Sequence, residues 1–430
     1  MRVLFATTDW SGHFQPMVPL AWALRAAGHE VLVLCSSALR PTVTNAGLAS
    51  VALAESNGLF QARVGNYLRA VAGHEVVPGL PPVHPLTGAE MTDLRQFDWS
   101  AFQRVAADGA AAWRAQRQRL MTDLARDWQP DLVVHDLPNV DGRLVAEAAD
   151  CPAVLHLWGL AGTLETDWSM RVLPEQVNDT FAGFALCGRG ARVTHVIDPS
   201  PASMEPATEA SRLPIRHLSY NGPGSVPGWL RQPRQRPRVC LVWGTSVTRI
   251  FGRGSFFVPR IIDALTEHDV EIVLTMTAEE VARVPRLPAN VRLVESVPLR
   301  LVLPGCALLV HNGGAGCSMA ALAAGVPQLV VAVSDEHVGN GSRLAEAGTA
   351  EWVRGSTATV EDISAAARRV LTQARYARNA DRLAGENRAR PAPTDLVPRL
   401  AELVADAAVP AQAVPAKAVP VKTGPTQAGR

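Results

Sequence analysis

No Cys-x-x-Cys pair and no dense cysteine framework occurs in these 430 residues. The six cysteines (Cys35, Cys151, Cys187, Cys240, Cys306 and Cys317) are scattered along the chain. That excludes a small disulfide-stapled scaffold and fits a reducing cytosol. Charge of one sign is also lacking: 41 Lys and Arg against 40 Asp and Glu leave a formal net charge of +1. The chain therefore has no electrostatic footprint for nucleic acid or for an anionic membrane surface. Residues 301–334 contain no Lys, Arg, Asp or Glu, but their glycines and prolines punctuate them as strand, turn and helix rather than as a membrane span. The opening MRVLFATTDW holds one Arg and a brief apolar stretch, too short for a secretory leader. No GxGxxG follows the first apolar run, which weighs against a dinucleotide oxidoreductase. His135, His156 and His195 are dispersed on separate strand-like runs, so no metal site is expected.

What is present is an alternation of short β-rich runs with helical periodicity, long enough for two or three domains. Residues 2–7 and 30–35 read as strands around a helix in which Met17, Leu20, Ala21 and Leu24 recur at helical spacing and Gly28 closes the end. Further strands are expected at 131–135, 153–157, 193–197, 238–243, 270–275, 291–295 and 307–310, with helices at 101–128 and 140–149. Residues 56–99 are irregular and rich in Gly and Pro; we expect loops and short helices there. The segment 216–237 is dense in Pro, Gly and Arg and reads as an interdomain linker. The end repeats AVPAQ, AVPAK and AVPVK from Ala408; small apolar residues with a Pro in every five cannot build a core, so 408–430 is expected to be an extended, mobile tail.

The most informative stretch is 307–340. An apolar run ends in His311, Asn312, Gly313 and Gly314, and an Ala-rich helical segment follows, capped by Gly325. Such a strand–Gly turn–helix unit offers free backbone N–H groups to a phosphate. The next strand empties into Ser334, Asp335, Glu336 and His337, at the edge where open α/β sheets bind ligands. On spacing alone, an ordinary βαβ turn explains these glycines equally well.

HNGGAGCSMAALAAGVPQLV resembles the donor signature of family 1 nucleotide-sugar glycosyltransferases, above all the actinomycete enzymes that attach deoxysugars to antibiotic aglycones. The resemblance implies the GT-B fold, an α/β arrangement of two Rossmann-like domains with parallel sheets facing a central cleft. It places an acceptor domain at 1–215, a nucleotide-sugar domain at 238–390 and a closing helix at 391–407. It implies that His311, Gly313, Gly314, Gly316 and Cys317 hold the diphosphate, although relatives carry Ser or Thr where this chain has Cys317. Thr245 and Ser246 resemble the second diphosphate contact. Ser296 and Val297 stand at the nucleotide-base position, without a stacking aromatic. The acidic–Gln pair that contacts the sugar falls on Glu336 and His337, with Asp335 as a rival, so the Gln is missing.

His13, in the loop after the first strand, resembles the family's general base. An imidazole suits removal of a hydroxyl proton near neutral pH. Asp136 is the candidate partner, with Asp93, Asp98 and Asp108 as competitors and an N-cap role equally open. Trp10, Phe14, Phe60, Trp99 and Trp158 are candidates for an apolar acceptor pocket. The expected activity is metal-independent, inverting transfer of a deoxysugar from a dTDP-sugar, with UDP-sugar less favoured, to a hydrophobic polyketide or macrolide aglycone, and with no cofactor. O- and C-glycosylation both stay open, as do a monomer and a homodimer, and some relatives act with an auxiliary activator protein. The competing readings are a catalytically silent nucleotide-sugar-binding partner of the same fold and a GT-B nucleotide-sugar epimerase.

Overall fold

The computed structural model describes residues 1–52, 58–164, 184, 186, 193–284, 287–295 and 297–408. Two parallel sheets organise them, so the expectation of two Rossmann-like halves holds. The first sheet is built from β1 (Arg2–Ala6), β2 (Glu30–Cys35), β3 (Ser50–Ala52), β4 (Leu132–His135), β5 (Ala153–His156), β6 (His195–Asp198) and β7 (Ser211–Pro214), in the order β3-β2-β1-β4-β5-β6-β7. The second holds β8 (Arg238–Val242), β9 (Glu271–Thr275), β10 (Val291–Val294), β11 (Leu308–His311), β12 (Gln328–Ala332) and β13 (Ala350–Arg354), in the order β10-β9-β8-β11-β12-β13. Strands such as β1, β4, β11 and β12 are buried along almost their whole length. Their continuous apolar character, rather than alternation, is what a sheet covered on both faces demands.

The order reverses between β1 and β4 in one sheet and between β8 and β11 in the other. Chains leaving neighbouring strands at such a switch point turn to opposite faces and leave a crevice beyond the strand ends. Four loops meet there: those after β1 and β4 from the first half, and those after β8 and β11 from the second.

Several elements depart from the sequence expectation. Gly58–Val71 is one helix of 14 residues where loops and short helices were expected; Phe60, Val64, Tyr67, Leu68 and Val71 give it the apolar spacing that its glycines obscured. The helix expected after the first strand is broken into Ser11–Phe14, a 3-10 turn Gln15–Met17 and Val18–Ala26, with Pro16 and Pro19 at the breaks. β3, β7 and β13 are short and were not expected. Between β7 and β8 the described chain carries only the 3-10 turn Gly228–Arg231. The helix Pro393–Ala408 returns to the first half, where Leu396, Val397 and Leu400 are buried with Leu20, Leu24 and Val43. Residues 409–430 of the expected tail lie outside the described residues. Among the described residues, no helix is long and apolar enough to cross a membrane.

Candidate active site

The loop leaving β1 carries Thr8 and the short helix Ser11–Phe14, which lifts His13 into the crevice with 17 % of its side chain exposed. Asp136, the first residue after β4, is fully buried. Its Oδ2 lies 3.0 Å from His13 Nδ1. Thr8 braces the pair: its N–H donates to the same Oδ2 at 3.0 Å and its hydroxyl donates at 2.5 Å. The hydroxyl oxygen also stands 3.0 Å from His13 Nδ1. A carboxylate facing Nδ1 fixes the proton there and leaves Nε2 as the basic nitrogen. Among the described residues, nothing hydrogen-bonds Nε2. The competing aspartates serve elsewhere: Asp93 and Asp98 cap the helices Leu94–Gln96 and Trp99–Trp128, and Asp108 is exposed on the latter.

The second half offers backbone. The helix Ala315–Ala324 starts at Gly314 with no side-chain cap and no acidic residue in its first turn. The helix Thr245–Phe251 likewise starts at Gly244 without a side-chain cap. A Cβ on Gly244 would lie 3.4 Å from Asn312 Oδ1, so the two N-termini are neighbours. Unpaired N–H groups and two helix dipoles thus converge on one spot, an arrangement suited to an anion. Gly313 makes the turn with φ +95°, where a Cβ would sit 2.9 Å from His337 Cβ, His337 O and Val330 Cγ1. No other residue fits that position. A Cβ on Gly316 would meet nothing within 4 Å, so this face stays open.

Three side chains assigned to the donor have other partners. His311 is fully buried. Its Nδ1 accepts from Gly313 N at 3.1 Å and its Nε2–H donates to Gln328 Oε1 at 3.0 Å. Burial depresses its pKa to about 4, so it is neutral and holds the turn instead of touching phosphate. His337 is buried and lies 3.2 Å from the Asn312 amide through Nε2. It closes a capping box with Ser334 rather than facing a sugar. The Cys317 side chain packs against an apolar cluster with Val242 and Val297. Burial pushes its thiol up to about 12, so the sulfur stays a neutral thiol and at most a weak donor.

Asp335 is also engaged, by Arg69 at 2.6 Å and Arg354 at 3.4 Å. Arg69 comes from the helix Gly58–Val71, so this ion pair ties the two halves together. Glu336 is different. It is exposed, yet the cleft walls raise its carboxyl pKa, opposed by the His13 charge across the gap. Among the described residues it has no hydrogen-bond partner. It is therefore the acidic side chain that is open to the cleft opposite His13. Ser246 and Val297 are half-buried, Val297 against the same apolar cluster as Cys317; Ser296 and the Thr245 side chain lie outside the described residues.

On the acceptor side, Phe14 is 1 % exposed and packs in the first core with Met17 and Leu20. It is a core residue, not a pocket wall. Trp158 is 6 % exposed and stacks flat on His13, with ring centroids 3.9 Å apart and an interplanar angle of 11°. Trp10 remains half-buried beside Gly58, and Phe60 lies 5.3 Å from Phe102, on which Trp99 stacks. A cavity of about 340 Å³ lies beyond Asn66 and Ala70 of the 58–71 helix; of the residues nominated from sequence it holds Asp93, the N-cap of Leu94–Gln96. Its wall residue Phe251 meets His337 edge-on.

Residues 22–244 match the family described as Erythromycin biosynthesis protein CIII-like, N-terminal domain, and residues 259–403 match its C-terminal domain. The chain is 31 % identical to 10-deoxymethynolide desosaminyltransferase from Streptomyces venezuelae, over 94 % of this chain and 97 % of the relative. Among solved structures it is similar to the glycosyltransferase VinC in complex with dTDP, with a TM-score of 0.70, 28 % identity, and 94 % and 100 % of the two chains covered. It is equally similar to the spinosyn rhamnosyltransferase SpnG complexed with spinosyn aglycone, with a TM-score of 0.71, 28 % identity, and 93 % and 100 % covered. The chain belongs to the erythromycin biosynthesis protein CIII-like family. It is thus a family 1 glycosyltransferase of GT-B fold, inverting and metal-independent, of the kind that acts in secondary metabolism.

Sequence reasoning missed Thr8 as the third member of the His13–Asp136 cluster, Arg69 as the tie across the cleft, and the flat stack of Trp158 on the base. Thr8 and Arg69 are polar residues with no motif around them. Only the fold brings them to the site.

Proposed function

We propose that this enzyme transfers a deoxysugar from a dTDP-sugar to a hydroxyl of a hydrophobic polyketide or macrolide aglycone, with His13 as general base. The observation that carries this reading is the geometry of two facing sites: a braced His–Asp pair at one strand switch point and two uncapped helix N-termini at the other. His13 Nε2 takes the acceptor proton while Asp136 stabilises the imidazolium. The acceptor oxygen bonds to the anomeric carbon from the face opposite the diphosphate, and the bond from that carbon to the phosphate oxygen breaks. Negative charge building on the leaving dTDP is met by the N–H groups of residues 314–317 and 245–246. Glu336 contacts the sugar, and Trp10, Phe60 and Trp99 supply apolar surface to the aglycone. The dTDP and aglycone complexes of similar glycosyltransferases support this choice of ligands. The five free cysteines among the described residues fit a reducing cytosol.

Thermal unfolding with dTDP, UDP or buffer tests the donor, because a ligand that binds only the folded state raises the midpoint. We expect dTDP to raise it more than UDP. A screen of dTDP-deoxysugars against macrolactone and anthracyclinone aglycones then follows. Equal indifference to both nucleotides would overturn the donor assignment.

A further inference from the structure

The segment after β5 touches both functional sites. Trp158 lies flat on His13. The next residue, Gly159, approaches the second half so closely that an added Cβ would meet Ala315 Cβ at 2.7 Å. Ala315 is the first residue of the Ala315–Ala324 helix, whose N-terminus faces the donor site. Leu160 then enters the second half altogether, 1 % exposed among Met319, Leu322, Val330 and Leu344. Arg343 locks it there by donating to the Leu160 carbonyl. Behind the segment, Ser200 Oγ donates to the Gly159 carbonyl at 3.4 Å. The φ of Gly159 lies outside the left-handed range, so what calls for glycine there is room for Ala315, not backbone freedom.

We propose that residues 158–160 are a positioning clasp that sets the distance between base and leaving group. Trp158 fixes the plane of the His13 ring, and Gly159 and Leu160 fix Trp158 to the first turn of the helix that receives the diphosphate. Base and donor therefore move as one unit although they belong to different halves. A misplacement of about 1 Å at such a contact lowers turnover by roughly 10²-fold. The donor rests on the second half alone, so its affinity does not depend on the clasp. This inference rests on the proposed roles of His13 and of the 315–324 helix.

The test is Gly159→Ala, Ala315→Gly and the double variant. The next Ala315 atom, Cα, lies 3.6 Å from the added methyl, an ordinary contact, so the double variant restores the room. Three readouts apply: dTDP affinity by calorimetry, kcat with the donor and aglycone found by the screen, and the His13 Cε1–H resonance. That resonance is assigned by its loss in His13→Gln and shifted upfield by the stacked indole. Gly159→Ala is expected to lower kcat about 10- to 100-fold, move the resonance downfield and leave the dTDP Kd within about threefold. The double variant is expected to recover the kcat and resonance of Ala315→Gly. An unmoved resonance in Gly159→Ala, a parallel loss of dTDP affinity, or a double variant that recovers nothing would overturn the clasp. Turnover surviving in His13→Gln, or wild-type protein that ignores dTDP, would instead overturn the reading beneath it.

Discussion

In the first sheet β4 ends at His135 and is followed by Asp136; in the second, β11 ends at His311 and is followed by Asn312. Both strands pair with the first strand of their half, β1 or β8. Both histidines are buried with pKa values depressed to about 4, and each bonds to backbone at the strand end. The halves part at the next residue. A carboxylate at position 136 faces His13 Nδ1 in the first crevice. A neutral amide at 312 keeps negative charge away from two uncapped helix N-termini. In the mechanism we propose, one atom's difference between Asp and Asn at matching strand ends divides proton transfer from anion binding.

Two isosteric exchanges break this division. Asp136→Asn removes the charge that orients His13 and stabilises imidazolium. Turnover is expected to fall about 10²- to 10⁴-fold with dTDP affinity intact; steady-state kinetics and calorimetry measure both, and a loss under tenfold would contradict the role. Asn312→Asp places a carboxylate between the helix N-termini. We expect dTDP binding to weaken roughly 10- to 100-fold, read by titration calorimetry, and unchanged affinity would separate Asn312 from the anion site. Gly313→Ala adds a methyl at 2.9 Å from three atoms at φ +95°. It is expected to cost about 2 kcal/mol or more of stability and to weaken dTDP binding along with it, seen in denaturant titration.

The buried histidines of both halves also make stability depend on pH. His135, His156, His217, His311 and His337 are each held at about 4 by burial. In the unfolded chain they take up protons near 6.5. Between those values the unfolded state binds more protons, so their contribution to stability is whole above about 6.5 and is lost as pH falls toward 4. The unfolding midpoint should drop steadily over that window; a flat profile would show that these imidazoles are not buried neutral. The smallest effect is expected at Cys317→Ser. The side chain packs inward, so dTDP affinity should change by less than about threefold, whereas a large gain would mean that a hydroxyl there reaches phosphate.

Much of this was legible in the sequence for a physical reason. Strands buried on both faces read as continuous apolar runs, and Gly313 and Gly325 mark left-handed turns that few other residues can make. His13 and Asp136 each follow such a run, but it is the family resemblance that singles out His13, and Asp136 stands beside three competing aspartates. What was hidden is what depends on non-local contact. His311 reads as a phosphate ligand until Gly313 and Gln328 are seen to occupy both of its nitrogens. Phe14 reads as a pocket aromatic until its helix is seen to turn it into the core. Asp335 looked like a sugar contact because nothing near it in sequence announces Arg69, which arrives from a helix 266 residues away. The roles of Trp158 and Gly159 are set by what lies across the cleft.

The central claim is that proton removal belongs to the first half and diphosphate binding to the second. His13→Ala tests it most directly, with single-turnover transfer and dTDP affinity measured on the same preparation. We expect a loss of transfer of about 10²-fold or more with dTDP bound as tightly as by the wild-type protein. Transfer at the wild-type rate, or dTDP affinity lost together with transfer, would contradict it.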